Sequence, residues 1–432
     1  MNHTIIQRIK LIATALVLMA LALALWSCSE DEDEQPQKTK TANEYIYETF
    51  EEWYLWYDQI PEVDPLDYTS FESLIEAITT EQDRWSFAGS YTEVMKLFQS
   101  GEYKGFGSGF MIDYDGQIKI THVYTNSPMG RKQVERGWIV NSVNGYTTSQ
   151  LDKINEALSS DEAVNFDMTD HHGSNHQFSI AREAFTMNTV LHSQIIQSEE
   201  KQIGYLVFDS FTETSQSELK TVFEHFVLNG VDELIVDLRY NGGGLNTTAE
   251  MLIGMIGGAK VDQQVISKTL FNDQKSSLNE SVTSNYNGPA LEIDRAFFIT
   301  TSQTASASEM VINALSPYME VIQVGSTTHG KPVGMSILSV KAIDLAILPV
   351  TFKNANSEDY GDYYNGLVPN YTEADDLSHN WGDPDESMLS TTLGLILQSA
   401  ISIESESALK STQISRQKAW EYSGINQFIN AW

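Results

Sequence analysis

The sequence predicts an α/β fold of more than one domain, and three observations carry that expectation. The chain has 432 residues, more than one hydrophobic core usually serves. Its texture changes twice, from helical periodicity to glycine-punctuated short strands near Gly101, then to alternating strands and helices from Gln202. The alternating part reads as βαβ units, which build a largely parallel sheet covered by helices. Composition is that of a folded protein, 41% hydrophobic and 10% aromatic, while the net charge of −33 repels nucleic acid and anionic membrane surfaces. Nucleic-acid binding is therefore set aside.

Residues 1–28 read as an address. Arg8 and Lys10 precede the apolar run Leu11–Leu25, short for a membrane span but right for a signal-peptide core. Leu25-Trp26-Ser27-Cys28 resembles a bacterial lipobox, which implies a lipid anchor on Cys28. Trp26 departs from the small residue usual there. Cys28 is the single cysteine, so no intramolecular disulfide forms. Residues 29–42 open with Ser29-Glu30-Asp31-Glu32-Asp33-Glu34, too charged to bury, and form an acidic linker. An acidic run in this place resembles the surface-export signal of Bacteroidetes lipoproteins. The implied address is the outer membrane, on its periplasmic or cell-surface face; a plain periplasmic linker fits the same residues.

Residues 43–99 are expected to form a helical cap. Tyr45, Phe50, Trp53 and Tyr54 make one aromatic amphipathic stripe; Phe71, Leu74, Ile75 and Ile78 make another, with Pro61 and Pro65 between them. Such stripes are core more often than ligand sites.

Residues 100–187 are expected to be β-rich. Phe110–Ile112, Ile118–Val123 and Trp138–Val140 read as strands, and Asp115-Gly116 as a hairpin turn. With Gly105-Phe106-Gly107-Ser108-Gly109-Phe110, Asn126-Ser127-Pro128 and Gly137–Gly145, the block resembles a PDZ domain. That resemblance implies a loop, Gly105, Phe106 and Gly107, whose N–H groups cradle a peptide carboxylate while the peptide adds as a strand. Asn141 stands near where such domains often carry aspartate. Tight turns in a small barrel would use the same glycines.

Residues 188–395 carry the candidate chemistry, and 396–432 are expected to be a helical tail. Strands are expected at Gln202–Phe208, Glu233–Leu238, Ala296–Thr300 and Glu320–Val324, with helices near Ser217–Leu228, Thr247–Ile256 and Ser306–Leu315. In a parallel sheet every strand-to-helix loop lies at the carboxyl edge. Three loops share that edge: Asp237–Gly244, Thr301–Ser306 and Gly325–Lys331. If their strands are neighbours, Ser306, Lys331 and the triple glycine meet. Ser306 needs a base to act as a nucleophile. Lys331 can be that base only when neutral, through burial or a nearby cation. Gly242 and Gly243 allow close backbone approach and, with Ala307, could form an oxyanion hole. Read alone, Ser306-Ala307-Ser308-Glu309 is a helix capping box and Lys331 a solvated loop lysine.

Rival chemistries are weaker. Gly325–Lys331 fits the first seven positions of a P-loop, but Pro332 occupies the position where Ser or Thr holds magnesium. No nucleotide is expected. His329 is a possible alternative base. His171, His172 and His176 sit in a polar turn without a companion carboxylate cluster, so no metal and no cofactor are expected.

Four blocks in order resemble the C-terminal processing (tail-specific) peptidases: the PDZ-like block, Ile235–Gly244, Thr304–Glu309 with Gly330-Lys331, and Tyr364–Asn370. The resemblance implies a crotonase/ClpP-like ββα catalytic core and a Ser306–Lys331 dyad. It implies a serine endopeptidase that cleaves flexible or C-terminal polypeptide segments through an acyl-enzyme. Two positions depart from the pattern. Met335 stands where many members carry a glutamine that orients the lysine, and Asn370 replaces an aspartate. These departures leave a second reading, a catalytically weak or inactive peptide-binding lipoprotein.

Overall fold

A computed structural model describes residues 40–198, 201–398 and 421–423. The signal peptide, Cys28 and almost all of the acidic linker lie outside the described residues. Among the described residues no helix is long and apolar enough to cross a membrane.

The N-terminal region holds α1 (Ala42–Trp53), α2 (Phe71–Ile78), β1 (Phe87–Ser90) and the short α3 (Tyr91–Met95). Ser70 caps α2 through a capping box, and α2 buries Leu74, Ile75 and Ile78. These helices share their core with strands from the later α/β region. Ile46, Phe50, Tyr54, Leu74 and Trp85 cluster with Val333, Leu345, Ile347 and Val350. Fewer than sixty residues bury too little surface to stand alone, so the cap packs on the strands that come after Lys331.

The β-rich region runs through β2 (Glu102–Gly105), β3 (Ser108–Ile112), β4 (Ile118–Val123), β5 (Ile139–Val143), α4 (Leu151–Ser159), β6 (Val164–Thr169), β7 (Asn175–Ile180) and β8 (Glu183–Thr186). Phe106, Phe110, Ile120, Val140, Leu158, Phe166 and Met168 fill its core.

The last region contains β9 (Val190–Ser198), β10 (Lys201–Phe208), α5 (Ser215–Leu228), β11 (Glu233–Asp237), α6 (Asn246–Gly257), β12 (Val265–Phe271) and β13 (Glu280–Thr283). It continues with β14 (Arg295–Thr300), α7 (Ala307–Leu315), β15 (Glu320–Gly325), β16 (Val333–Met335), β17 (Leu338–Val340), β18 (Leu345–Leu348), β19 (Val350–Ala355), β20 (Tyr371–Thr372) and α8 (Ser387–Gln398). The central sheet has the order β20-β15-β14-β11-β10-β9. All its pairings are parallel except that of β9 with β10. Alternate residues face opposite layers, as the pleat requires. Leu206, Leu234, Val236 and Phe298 pack on α5, α6 and α7. Tyr205, Ile235, Phe297 and Ile299 pack on α8 through Met388, Leu389 and Leu393.

One element departs from the expected helical tail. Residues 387–398 are helical, but Glu421–Ser423 form a strand, β21, antiparallel to β3. Helical periodicity is a local signal, whereas this strand exists through a partner distant in sequence.

Candidate active site

β11, β14 and β15 are consecutive in the sheet, so the three loops at their carboxyl ends converge. Thr304 Oγ1 donates to the carbonyl of Leu238 at 2.8 Å, and Ala305 N–H to that of Asn241 at 3.0 Å. Thr301 Oγ1 donates to the Arg239 carbonyl. The serine loop is thus stitched along the glycine loop before α7 begins.

Ser306 sits at the N-cap of α7 with φ 56° and ψ −114° and is 7% exposed. A positive φ on a non-glycine residue is strained and is held by its surroundings. Gly243 lies against it: a Cβ there would come within 2.8 Å of Ser306 Cβ and 2.9 Å of Ala307 N. Only glycine permits that approach, and its φ of +103° also excludes most side chains. The Gly243 N–H donates to Asn241 Oδ1 at 2.8 Å, so in this structure it is taken. Gly242 and Ala307 are then the remaining backbone donors of the trio expected from the sequence.

Glu309 is fully buried and does more than cap a helix. Its Oε2 accepts from Ser306 N–H at 2.9 Å and Lys331 N–H at 2.8 Å. Its Oε1 accepts from Gly330 N–H at 2.7 Å and Thr328 Oγ1 at 2.5 Å. Burial pushes its carboxyl pKa up, against these four donors. The P-loop-like segment therefore wraps a carboxylate, which occupies the N–H groups of Gly330 and Lys331.

Lys331 is 1% exposed. Burial lowers its pKa to about 7, while the nearby charges of Asp83 and Glu309 act to raise it. Its Nζ lies 6.0 Å from the centroid of the Trp85 ring. Trp85 Nε1 donates to His329 Nε2 at 3.0 Å, so His329 uses that nitrogen as an acceptor. His329 N–H also donates to the Thr304 carbonyl at 2.9 Å. Asp83 accepts from the N–H groups of Trp85 and Ser86 at 2.9 and 3.0 Å. The cap thus supplies the indole and the carboxylate around Lys331, and no motif in the sequence marks either one.

Met335 packs against two apolar clusters, one containing Trp85 and Val333 and the other Val94 and Phe98. Asn370 Oδ1 accepts from Gln323 N–H at 2.8 Å, an acceptor role that an aspartate would also fill. Tyr364–Leu367 lies on the lysine loop, with Leu367 N–H donating to Thr328 Oγ1 at 2.7 Å. Among the described residues no group of three or more His, Cys, Asp or Glu could hold a metal ion. His176 Nε2 instead contacts Asp170 Oδ2 at 2.9 Å.

Residues 202–372 match peptidase family S41, and residues 41–87 match the peptidase S41 N-terminal domain. The chain belongs to peptidase family S41. The family match encloses all three converging loops, and the N-terminal match includes Asp83 and Trp85. A probable CtpA-like serine protease of Staphylococcus epidermidis is 24% identical over 302 residues, 68% of this chain and 57% of that protein. One from Staphylococcus aureus is 25% identical over 240 residues, 54% of this chain and 45% of that protein. The chain thus spans about half the length of the curated relatives it matches. A solved structure described as a putative S41 protease from Bacteroides fragilis superposes with a TM-score of 0.70 at 23% identity. It covers 83% of this chain and 98% of its own, a likeness of fold.

Proposed function

We propose that this chain is a serine endopeptidase with Ser306 as nucleophile and Lys331 as general base. One observation carries the reading: Ser306 and Lys331 give their backbone N–H groups to the same Glu309 oxygen. In the reaction Ser306 Oγ attacks the scissile carbonyl carbon and its proton passes to the neutral Lys331 amine. The N–H groups of Gly242 and Ala307 receive the oxyanion. Collapse breaks the C–N bond, and Lys331 returns the proton to the leaving amine. Water, deprotonated by Lys331, then hydrolyses the acyl-ester. Lys331 suits this role because burial lowers its pKa to about 7, so a large fraction is neutral near physiological pH.

The substrate in this reading is a flexible polypeptide that adds to the β3 edge as it would to a PDZ domain. Gly105, Phe106 and Gly107 lead into that edge. The Phe106 carbonyl accepts from Met129 N–H at 3.0 Å and the Gly107 carbonyl from Tyr124 N–H at 2.9 Å. Carbonyls engaged this way suit a loop that offers N–H groups to a carboxylate. Export and lipidation at Cys28 belong to the same proposal; radiolabelled palmitate should mark the protein made in its host and not a Cys28→Ala variant.

The deciding experiment is hydrolysis of casein, a disordered polypeptide. Wild type should cleave it, and Ser306→Ala and Lys331→Ala should each lose at least about 10³-fold in rate. Retained activity in Lys331→Ala would remove the lysine mechanism. An inert wild type that still binds casein would leave the peptide-binding reading, which the apolar packing of Met335 favours.

A further inference from the structure

A strand edge presents a row of unpaired N–H and C=O groups, and sheets protect such edges with charge, proline or cover. The sheet β21-β3-β4-β5-β6-β7 treats its two sides differently. β7 reads Asn175-His176-Gln177-Phe178-Ser179-Ile180, with polar Asn175, Gln177 and Ser179 exposed at alternate positions. β3 reads Ser108-Gly109-Phe110-Met111-Ile112, with no charge and no proline, and its first three residues are buried. Its sequence carries none of the usual protection, so cover must come from another segment. That cover is β21: Glu421 lies opposite Met111, Tyr422 opposite Phe110 and Ser423 opposite Gly109, antiparallel. The direction of β21 runs from Met111 towards the Gly105–Gly107 loop. Antiparallel addition beside that loop is how a PDZ-type edge takes a peptide.

We infer that residues 421–423 are an intramolecular ligand of the β3 edge, so that the chain carries its own competitor for incoming polypeptide. The inference rests on the reading of β3 as the polypeptide-binding edge, and not on the Ser306 chemistry. At rest the edge is closed, and a substrate strand must displace β21 before it can pair with Gly109–Met111. The contact is short, but a segment tethered in the same chain acts at an effective concentration on the order of 1 mM. If the tethered segment itself has a Kd of about 0.1 mM for the open edge, binding of any free peptide is weakened roughly tenfold. A poor ligand is excluded, while a longer or better-matched strand still enters.

The test uses the full chain carrying Ser306→Ala, which removes cleavage, with and without Tyr422→Pro, which removes a strand N–H and disfavours pairing. The probe is a fluorescein-labelled synthetic peptide with the sequence of residues 416–427, followed by anisotropy. Amide hydrogen exchange at Gly109, Phe110 and Met111 is measured in parallel. The expected result is roughly tenfold tighter probe binding by the proline variant, with faster exchange at these amides when no probe is present. Glu421→Pro, a second disruption of the same strand, should reproduce both changes. Equal affinities, or no binding by either chain, would overturn the inference, as would unchanged exchange. Casein hydrolysis by the chain with Ser306 intact separates the two proposals. A chain inert to casein that passes this test loses the peptidase reading and keeps the competitor; the opposite pattern does the reverse.

Discussion

Ser306 and Lys331 donate their backbone N–H groups to one oxygen, Glu309 Oε2, at 2.9 and 2.8 Å. Their nitrogens are at most the sum of those lengths apart, about 5.7 Å. The spacing of the candidate nucleophile's and base's backbones is thus set by one buried carboxylate. Glu309→Gln should break this arrangement, because either amide orientation turns an NH2 towards buried donors. One or two N–H groups then lose their acceptor, at a cost of roughly 2–4 kcal/mol in stability. We expect a fall in kcat of at least about tenfold with KM little changed, read by casein-peptide kinetics beside urea unfolding.

The pH dependence should report Lys331. Its pKa is lowered to about 7, first by burial, with Asp83 and Glu309 opposing. In the proposed mechanism only the neutral amine accepts the serine proton, so kcat/KM should rise with pH through about 7 and level off above it. Asp83→Asn removes a charge that favours the ammonium, while its Oδ1 can still accept from Trp85 and Ser86. The rising limb should therefore move to lower pH. A limb that stays put, or moves up, would show that Asp83 does not face the titrating amine.

Stability should move against activity at both residues. Lys331 binds its proton near 10.5 when unfolded and near 7 when folded, so the unfolded chain holds the extra proton between those values. Stability therefore rises with pH across that window, and the full penalty is present below it. Lys331→Met removes the penalty and should stabilise the protein by roughly 2–5 kcal/mol, at about 1.4 kcal/mol per unit, while abolishing cleavage. Ser306→Gly should relieve the positive φ and gain about 1 kcal/mol. Ser306→Ala keeps the Cβ and should gain little. Thermal melts of the three variants check the order.

Much of this site is legible in the sequence because its parts are local. The strand at Arg295–Thr300, the helix at Ala307–Leu315 and the strand at Glu320–Gly325 follow from hydrophobic runs and a capping residue, within a residue or two of expectation. Strand neighbours then bring the loops together. The features that escape the sequence are long-range. Asp83 and Trp85 lie more than two hundred residues before Lys331, in a region whose aromatic stripe reads equally well as plain core. Glu309 is visible as a capping residue, but its bonds to Thr328, Gly330 and Lys331 depend on a loop that no periodicity places. Arg239 stands out in the sequence only as part of a motif; buried, it binds Asp237 at 2.7 Å, Glu386 at 2.8 Å and Asp375 at 2.7 Å, a network beneath the glycine loop. β21 falls in a stretch expected to be helical, because its pairing partner is β3, some three hundred residues earlier.

The glycine loop offers the sharpest test of how the serine is held. Asn241 is fully buried, and its side chain works at both ends. Oδ1 accepts from Gly243 N–H at 2.8 Å, and Nδ2 donates to the Phe208 carbonyl at 3.0 Å. Its carbonyl accepts from Ala305 N–H and Ser308 Oγ, each at 3.0 Å. Asn241→Ala keeps those backbone contacts and strands two buried groups, Gly243 N–H and Phe208 C=O, at a cost of roughly 2–4 kcal/mol. It also frees Gly243 N–H next to Ser306, so any loss of kcat beyond the loss of folded protein measures the loop's misplacement. Gly243→Ala acts differently. Its new Cβ would meet Ser306 Cβ at 2.8 Å and the Ala305 carbonyl at 2.9 Å, so the serine must move. We expect Gly243→Ala to lose cleavage by about 10² or more while the fold survives, measured by casein hydrolysis beside circular dichroism. A Gly243→Ala enzyme with near-normal kcat would mean that the position of Ser306 tolerates displacement, and that the close glycine contact is packing alone.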